Sequence, residues 1–269
     1  MNDDYVHFNN NIFYIEENIP GPDDNSLEFK FLLNNYNSQL ESYCRCENVC
    51  SYPKCECLKR SGGNNYVVEH GELPKLKIDS KEKQNLILEC NKQCTCSYQC
   101  GNRLVQLGPL KGLMIKKCDI VQKGFGLFTN VFVRNGSFIC EYIGELLTKD
   151  QAFKRYHHNK TNKEMNYIFR LIEHCGTEVI ETFYDPSKFG NIGRYINHSC
   201  EPNSQILPVR YDMPIPKLAI FACEDIKSGS EITYNYSLNS NTKYSELIDR
   251  KQCFCKTLSC KGYMPYDEI

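Results

Sequence analysis

Nine cysteines fall into two short groups, Cys44-x-Cys46-x3-Cys50-x4-Cys55-x-Cys57 and Cys90-x3-Cys94-x-Cys96-x3-Cys100, and no other feature restricts the folding of this chain as much. Tetrahedral zinc takes four ligands, so three ions need twelve ligand positions. Nine thiolates fill them when six bind one ion each and three bridge two, and the count closes on a trinuclear cluster. A disulfide framework is the alternative. The odd total of 17 cysteines, an opening stretch MNDDYVHFNN without a basic start or apolar region, and a composition rich enough for a sizeable core weigh against it. A closed all-thiolate site has no open coordination position for water, so this module is expected to scaffold the fold and carry no chemistry.

Three further cysteines close the chain as Cys253-x-Cys255-x4-Cys260, one ligand short of a tetrahedral site. Cys200, in the turn Asn197-His198-Ser199-Cys200, is expected to supply the fourth and so to fold the C-terminus over that turn. Cys118, Cys140, Cys175 and Cys223 lie in or beside apolar runs without ligand spacing and read as core thiols.

The formal charge is −1, and no Lys/Arg run exceeds two residues, so the chain lacks the electrostatic footprint of a phosphate-backbone binder. Three zinc ions on nine thiolates leave −3 and one on four leaves −2, which would take the total to about −6. A basic peptide is therefore the expected partner, and direct sequence-specific DNA binding is not. No stretch approaches the ~20 apolar residues that span a bilayer, and no membrane association is expected; the chain reads as intracellular.

At 269 residues, against a prior of ~150 per domain, one large unit with small appended modules is expected. Residues 1–43, around Pro20-Gly21-Pro22, show no clear periodicity and read as an extended arm lying over a neighbour. Residues 44–112 form the metal module, with a hairpin-like insertion between its cysteine groups. From 113 to 236 the pattern turns to short β-type runs, FGLFTNVFV, SFICEYIGELL, NYIFRLI, EVIETFY, KLAIFAC and EITYNY, predicting a mostly β domain. One helix is signalled from Thr148, with Gln151 completing a capping box, through DQAFKRYHH to a polar break at Asn159. Residues 237–252 read as a polar linker before the cysteine-bearing tail, 253–269.

The segments Lys123-Gly124-Phe125-Gly126, Glu141-Tyr142-Ile143-Gly144-Glu145, Gly190-Asn191-Ile192-Gly193-Arg194-Tyr195-Ile196-Asn197-His198-Ser199-Cys200-Glu201-Pro202-Asn203 and Glu231-Ile232-Thr233-Tyr234-Asn235-Tyr236 follow one another in this order. With the two cysteine modules they resemble the SET-domain lysine methyltransferases of the Su(var)3-9 group, with pre-SET, SET and post-SET parts, over nearly the whole chain. The resemblance implies a SET-domain β fold of several small sheets with few short helices, flanked by the trinuclear zinc module and a small zinc-bearing tail. It implies S-adenosylmethionine as cofactor, contacted by Lys123, Gly124, Phe125, Tyr167, Arg194, Asn197 and His198, with Phe254 as a wall. Phe125 departs from the tryptophan common at its position, a change that a main-chain contact plus an aromatic face should tolerate. Gly124 and Gly126 suit such a cradle, because they let the backbone approach a ligand closely.

Tyr236 is implied as the catalytic tyrosine, with Tyr142 and Tyr234 beside it. The acceptor lysine must be neutral although its unperturbed pKa is ~10.4. A narrow apolar channel and a nearby sulfonium would both lower it, leaving alignment as the main task. A hydroxyl on Tyr234 can hold a water that competes with a bulkier methylated amine, so mono- and dimethylation are expected. The implied substrate is the histone H3 tail or nucleosome, lysine 36 favoured and lysine 9 or lysine 4 as alternatives, acting in the nucleus on the chromosome. A non-catalytic module that binds histone tails is the competing reading.

Overall fold

The computed structural model describes residues 11–68, 73–77, 86–236 and 251–265. The architecture is mostly β, in several small sheets with few helices. Two four-stranded sheets form the frame. In one, the strand Lys217–Ala222 lies between Ser204–Arg210 and Phe138–Glu141, with Ile87–Leu88 from the metal module at the far edge. Paired on both sides and covered on both faces, Lys217–Ala222 is buried throughout, which is why it reads as the unbroken apolar run KLAIFA. Ser204–Arg210 carries Pro208, which lacks a ladder donor, and the edge strand pairs only with Val209 and Arg210. The proline thus sits where only one neighbour claims the backbone.

In the second sheet the order is Phe169–Cys175, Glu178–Asp185, Glu145–Leu147 and Ile19–Pro20. Gly176, at φ 65°, opens the two-residue turn between its long antiparallel strands. The hairpin tip is exposed, and its base buries Phe183 and Tyr184 in the core. Cys175, expected in the core, is exposed at that tip, because the strand runs past the covering layer.

The helix Lys149–Asn162 begins at Thr148 with both capping-box bonds in place. It continues past Asn159 to a left-handed C-cap at Lys163, so the polar break expected at Asn159 is the last helical turn. Arg155 on this helix bonds Glu145 and Asp185, both at 2.7 Å, and moors the helix to the second sheet.

The N-terminal arm is not extended throughout. Ser26 caps a helix at Leu27–Asn37 through the Phe29 N–H, turning Phe29 inward and leaving Leu27 and Phe31 exposed. Before it, the arm adds short parallel strands to the body, Phe13–Tyr14 on Phe189–Gly190 and Ile19–Pro20 on Glu145–Leu146. In the metal module, Tyr66–Val67 pairs antiparallel with Lys75–Leu76, the hairpin expected between the cysteine groups. The stretch expected as a linker lies outside the described residues except for Lys251 and Gln252. Among the described residues, no helix is long and apolar enough to cross a membrane.

Candidate functional site

The strand Asn197–His198 runs parallel to Thr233–Tyr234, with His198 opposite Tyr234. This crossing brings two sequence segments some 35 residues apart into one site. The Tyr236 N–H, just beyond, donates to His198 Nδ1 at 3.2 Å, and the Tyr236 hydroxyl donates to the Ile196 carbonyl at 2.8 Å. The Tyr236 ring lies 4.7 Å from that of Tyr234, and the Tyr234 ring 6.4 Å from that of Tyr142. Phe169 follows 6.0 Å from Tyr142, with Tyr184 behind it at 6.5 Å. Five aromatic rings from four segments thus form one wall. The Tyr142 hydroxyl donates to the Tyr167 carbonyl at 2.7 Å. Burial, and then the neighbouring Tyr236, pushes the Tyr142 phenol well above its ordinary value, so it stays a neutral donor.

Beside this wall lies a polar cradle. The Asn197 side chain donates to the Phe125 carbonyl (3.1 Å) and to Glu231 Oε1 (2.8 Å), while the Lys123 ammonium pairs with Glu231 Oε2. A Cβ on Gly126 would stand 2.8 Å from Cys118 Sγ and 2.9 Å from Glu231 Oε1, so this close approach of strand to asparagine needs glycine. Gly124, at φ 68°, has open space around its Cα. The Lys123 ammonium is committed to Glu231, and its main-chain N–H donates to the Ile120 carbonyl at 3.0 Å. Cys118, expected as a core thiol, is buried and also joins this polar node, its Sγ 3.4 Å from Glu231 Oε1. Cys140 is buried in the apolar core, and Cys223 is half-buried with its thiol toward the Pro202 carbonyl.

Arg194 stacks over Tyr167 at 4.5 Å and Tyr195 at 5.0 Å and donates from Nε to the Pro186 carbonyl. His198 is held neutral, pushed down to about 4 by burial first and then by Lys261 and Lys123. One residue before Tyr142, the Glu141 carboxyl is buried, with Tyr211 donating to Oε1 at 3.0 Å and, among the described residues, no partner on Oε2. Burial pushes it up to about 7 despite Lys217.

The cysteines gather as two sets. The sulfurs of Cys44, Cys57, Cys90 and Cys94, of Cys44, Cys50, Cys90 and Cys96, and of Cys44, Cys46, Cys50 and Cys55 form three overlapping groups, each within 4.8 Å. Cys100 joins through its bonds to Cys50 and Cys90. Cys200, Cys253, Cys255 and Cys260 make the second set at the same spacing. Phe254, half-buried, follows Cys253 and so arrives with the tail at the His198 turn.

Glu231 and Asn191 are structurally central yet had no role assigned from sequence. Glu231 opens the motif that ends at Tyr236, a signal that pointed to the segment without singling out the carboxylate. Asn191 precedes a turn of glycine and isoleucine, and its partners lie some 50 residues away.

Comparison with known proteins follows this geometry. A SET domain model matches residues 124–237, and a Pre-SET motif model matches residues 1–103. The histone-lysine N-methyltransferase SETMAR of Mus musculus is 40% identical over 235 residues, covering 83% of this chain and 74% of the relative. Among solved structures, the methyltransferase domain of human SETMAR superposes with a TM-score of 0.76 at 34% identity, covering 95% of this chain and 90% of the other. KRYPTONITE, solved in complex with mCHH DNA, an H3(1-15) peptide and SAH, superposes with a TM-score of 0.71 at 25% identity, covering 94% and 48%.

Proposed function

This chain belongs to the SET-domain family of histone-lysine N-methyltransferases, and on that premise we propose that it methylates a lysine of histone H3, lysine 36 favoured over lysine 9 and lysine 4, giving mono- and dimethyllysine. It is an S-adenosylmethionine-dependent protein-lysine methyltransferase. The SETMAR relatives favour a histone substrate, and the H3 peptide bound by KRYPTONITE favours the H3 tail. Such an enzyme acts on nucleosomes in the nucleus. The domain layout is the arm to 43, the pre-SET module 44–112, the catalytic domain 113–236 and, beyond the linker, the post-SET tail from 253.

The observation that carries the reading is the ring wall of Tyr142, Tyr234 and Tyr236 set directly against the Asn197 cradle. The cradle fits the cofactor: the glycine at 126 lets Asn197 and Glu231 close on its strand, and the space where a Cβ of Gly124 would stand is open. We assign Lys123, Gly124, Phe125, Tyr167, Arg194, Asn197 and His198 to cofactor binding, with Phe254 as a wall. When bound, S-adenosylmethionine supplies a methyl group activated on a sulfonium.

The chain's own residues then have two tasks. The aromatic wall strips water from the acceptor amine, which disfavours its ammonium form and frees the lone pair. Tyr236, held through Ile196 and His198, orients that amine, and the buried Tyr142 phenol, fixed on the Tyr167 carbonyl, continues the same wall. Holding two reactants in line contributes as much as ~7–11 kcal/mol of barrier reduction, so positioning supplies most of the rate. His198, neutral at working pH, positions Tyr236 and moves no proton. Tyr234 offers a hydroxyl for a water that resists a third methyl group.

The sulfur spacing fits zinc. We place three ions among the nine cysteines from Cys44 to Cys100 and one on Cys200, Cys253, Cys255 and Cys260. The test is incubation of the zinc-loaded protein with labelled S-adenosylmethionine and recombinant nucleosomes, beside Tyr236→Phe, with mass spectrometry of the modified lysine. Labelling that depends on Tyr236 supports the reading. Cofactor binding without any labelling favours a non-catalytic histone-binding module.

A further inference from the structure

Tyr142 stands at the head of a turn whose peptide groups are gripped from other segments. Its own N–H donates to the Leu218 carbonyl at 2.8 Å. The Glu141 carbonyl before it accepts from Asn191 Nδ2 at 2.9 Å, and the Ile143 N–H after it donates to Asn191 Oδ1 at 3.3 Å. One side-chain amide therefore holds both peptide units that flank Tyr142. The next N–H, Gly144, donates to Asn18 Oδ1 at 2.9 Å, and Ile19 N–H returns a bond to the Gly144 carbonyl at 3.3 Å.

These grips leave little slack. Asn191 is 6% exposed and Asn18 3%, and a Cβ on Gly193 would stand 2.5 Å from the Glu141 carbonyl oxygen. A Cβ on Gly144 would meet the Asp185 carbonyl carbon at 2.5 Å. Among the described residues, neither asparagine side chain bonds the ring wall or the cradle; apart from the Gly193 N–H on Asn191 Oδ1, their bonds go to this turn. Burying an amide costs free energy unless its bonds are made, and these bonds are spent on where residues 141–144 lie. The ring follows the turn, because Tyr142 packs against Tyr234 and Phe169 and its hydroxyl is fixed on Tyr167.

We propose that Asn191 and Asn18 are positioning residues for methyl transfer: together they clamp the Tyr142 turn, and through Asn18 the N-terminal arm becomes part of the apparatus that aligns the acceptor lysine. The clamp rests on the reading of Tyr142 as a wall of the lysine channel.

The test uses the zinc-loaded full chain as wild type, Asn18→Ala, Asn18→Asp and Asn191→Ala. Native-state hydrogen exchange reads the Ile143 and Gly144 amides. Steady-state kinetics on H3 peptide, normalised to cofactor-binding sites, read kcat, KM and the mono- to dimethyl ratio. Asn18→Ala should speed exchange at Gly144 and lower kcat at least about tenfold, with peptide KM and cofactor Kd within about twofold of wild type. Asn18→Asp keeps the acceptor oxygen and should recover most of the loss. Asn191→Ala should act in the same sense at Ile143 and also shift the product ratio; if it does not fold, the Asn18 pair carries the test. Unchanged exchange at both amides, or altered exchange with wild-type kcat per site and product ratio, overturns the clamp. A wild type that binds cofactor but methylates no histone substrate overturns the function instead, and the exchange data then decide the clamp alone.

Discussion

Tyr236 and His198 share one hydrogen bond, from the Tyr236 N–H to Nδ1 at 3.2 Å, while the other ring nitrogen of His198 lies 3.5 Å from Cys200 Sγ. A neutral ring that accepts at Nδ1 carries its proton on Nε2, so the histidine links the tyrosine to the tail cysteines. Cys200→Ser should therefore do more than loosen the tail. Its zinc content should fall by one ion, and its activity by at least about 10–100-fold, the range for the milder loss of an outer-shell partner at a metal site. Metal analysis beside cofactor titration checks this. Full activity with one zinc lost would disconnect the tail from catalysis.

In the proposed reading the Tyr234 hydroxyl holds a water that competes with a bulkier amine, and Tyr234→Phe removes it. The variant should then shift the product toward trimethyllysine relative to wild type, with little change in the rate of the first transfer. Mass spectrometry of a time course reads both, and a wild-type product already dominated by trimethyllysine would remove the basis for the assignment.

Glu141 links stability to pH. Its carboxyl is pushed up to about 7 in the fold, mainly by burial, against an ordinary value of 4.5. A folded value above the unfolded one means the stabilising contribution is complete below 4.5 and is lost as pH rises through about 7. Glu141→Gln mimics the protonated acid at every pH, and zinc thiolates titrate alike in both proteins. Urea denaturation at about pH 6 and about pH 8 should show wild type losing stability relative to Glu141→Gln on going up. A difference independent of pH would contradict the buried-acid assignment.

Arg155 neutralises two carboxylates that the sheet has nearly sealed from water. The Glu145 side chain is 7% exposed and that of Asp185 1%. Arg155→Leu leaves both acids without their partner, which should cost about 3–5 kcal/mol, the range for breaking a buried pair from one side. Chemical denaturation measures it, and a loss below about 1 kcal/mol, typical of exposed pairs, would show that water reaches the pair.

The fold's local features were legible in sequence, and its crossings were not. Thr148 and Gln151 announce a helix start because a capping box is made within four residues. Cysteine spacing announces metal modules for the same reason. The helix at Leu27–Asn37 was missed although Ser26 caps it and Phe29, Leu32 and Tyr36 share a helical face. Leu27 and Phe31, exposed on the other side, blur the period. Apolar neighbours make both Cys118 and Cys175 read as core thiols, yet Cys118 is buried and Cys175 lies exposed at a hairpin tip. A run of apolar residues does not say where its strand leaves the core.

By itself, then, the sequence determined the cysteine sets, the mostly β pattern, the segments that mark the family and the aromatic residues proposed to line the reaction site. Only the tertiary structure decided that Glu231 ties Lys123 to Asn197, that Asn191 grips both sides of Tyr142, and that the arm reaches Gly144 through Asn18. The physical reason is range. Capping and ligand spacing are set by bonds a few residues long, whereas these side chains find partners from 34 to 126 residues away, and their pairing exists only once the chain has crossed itself.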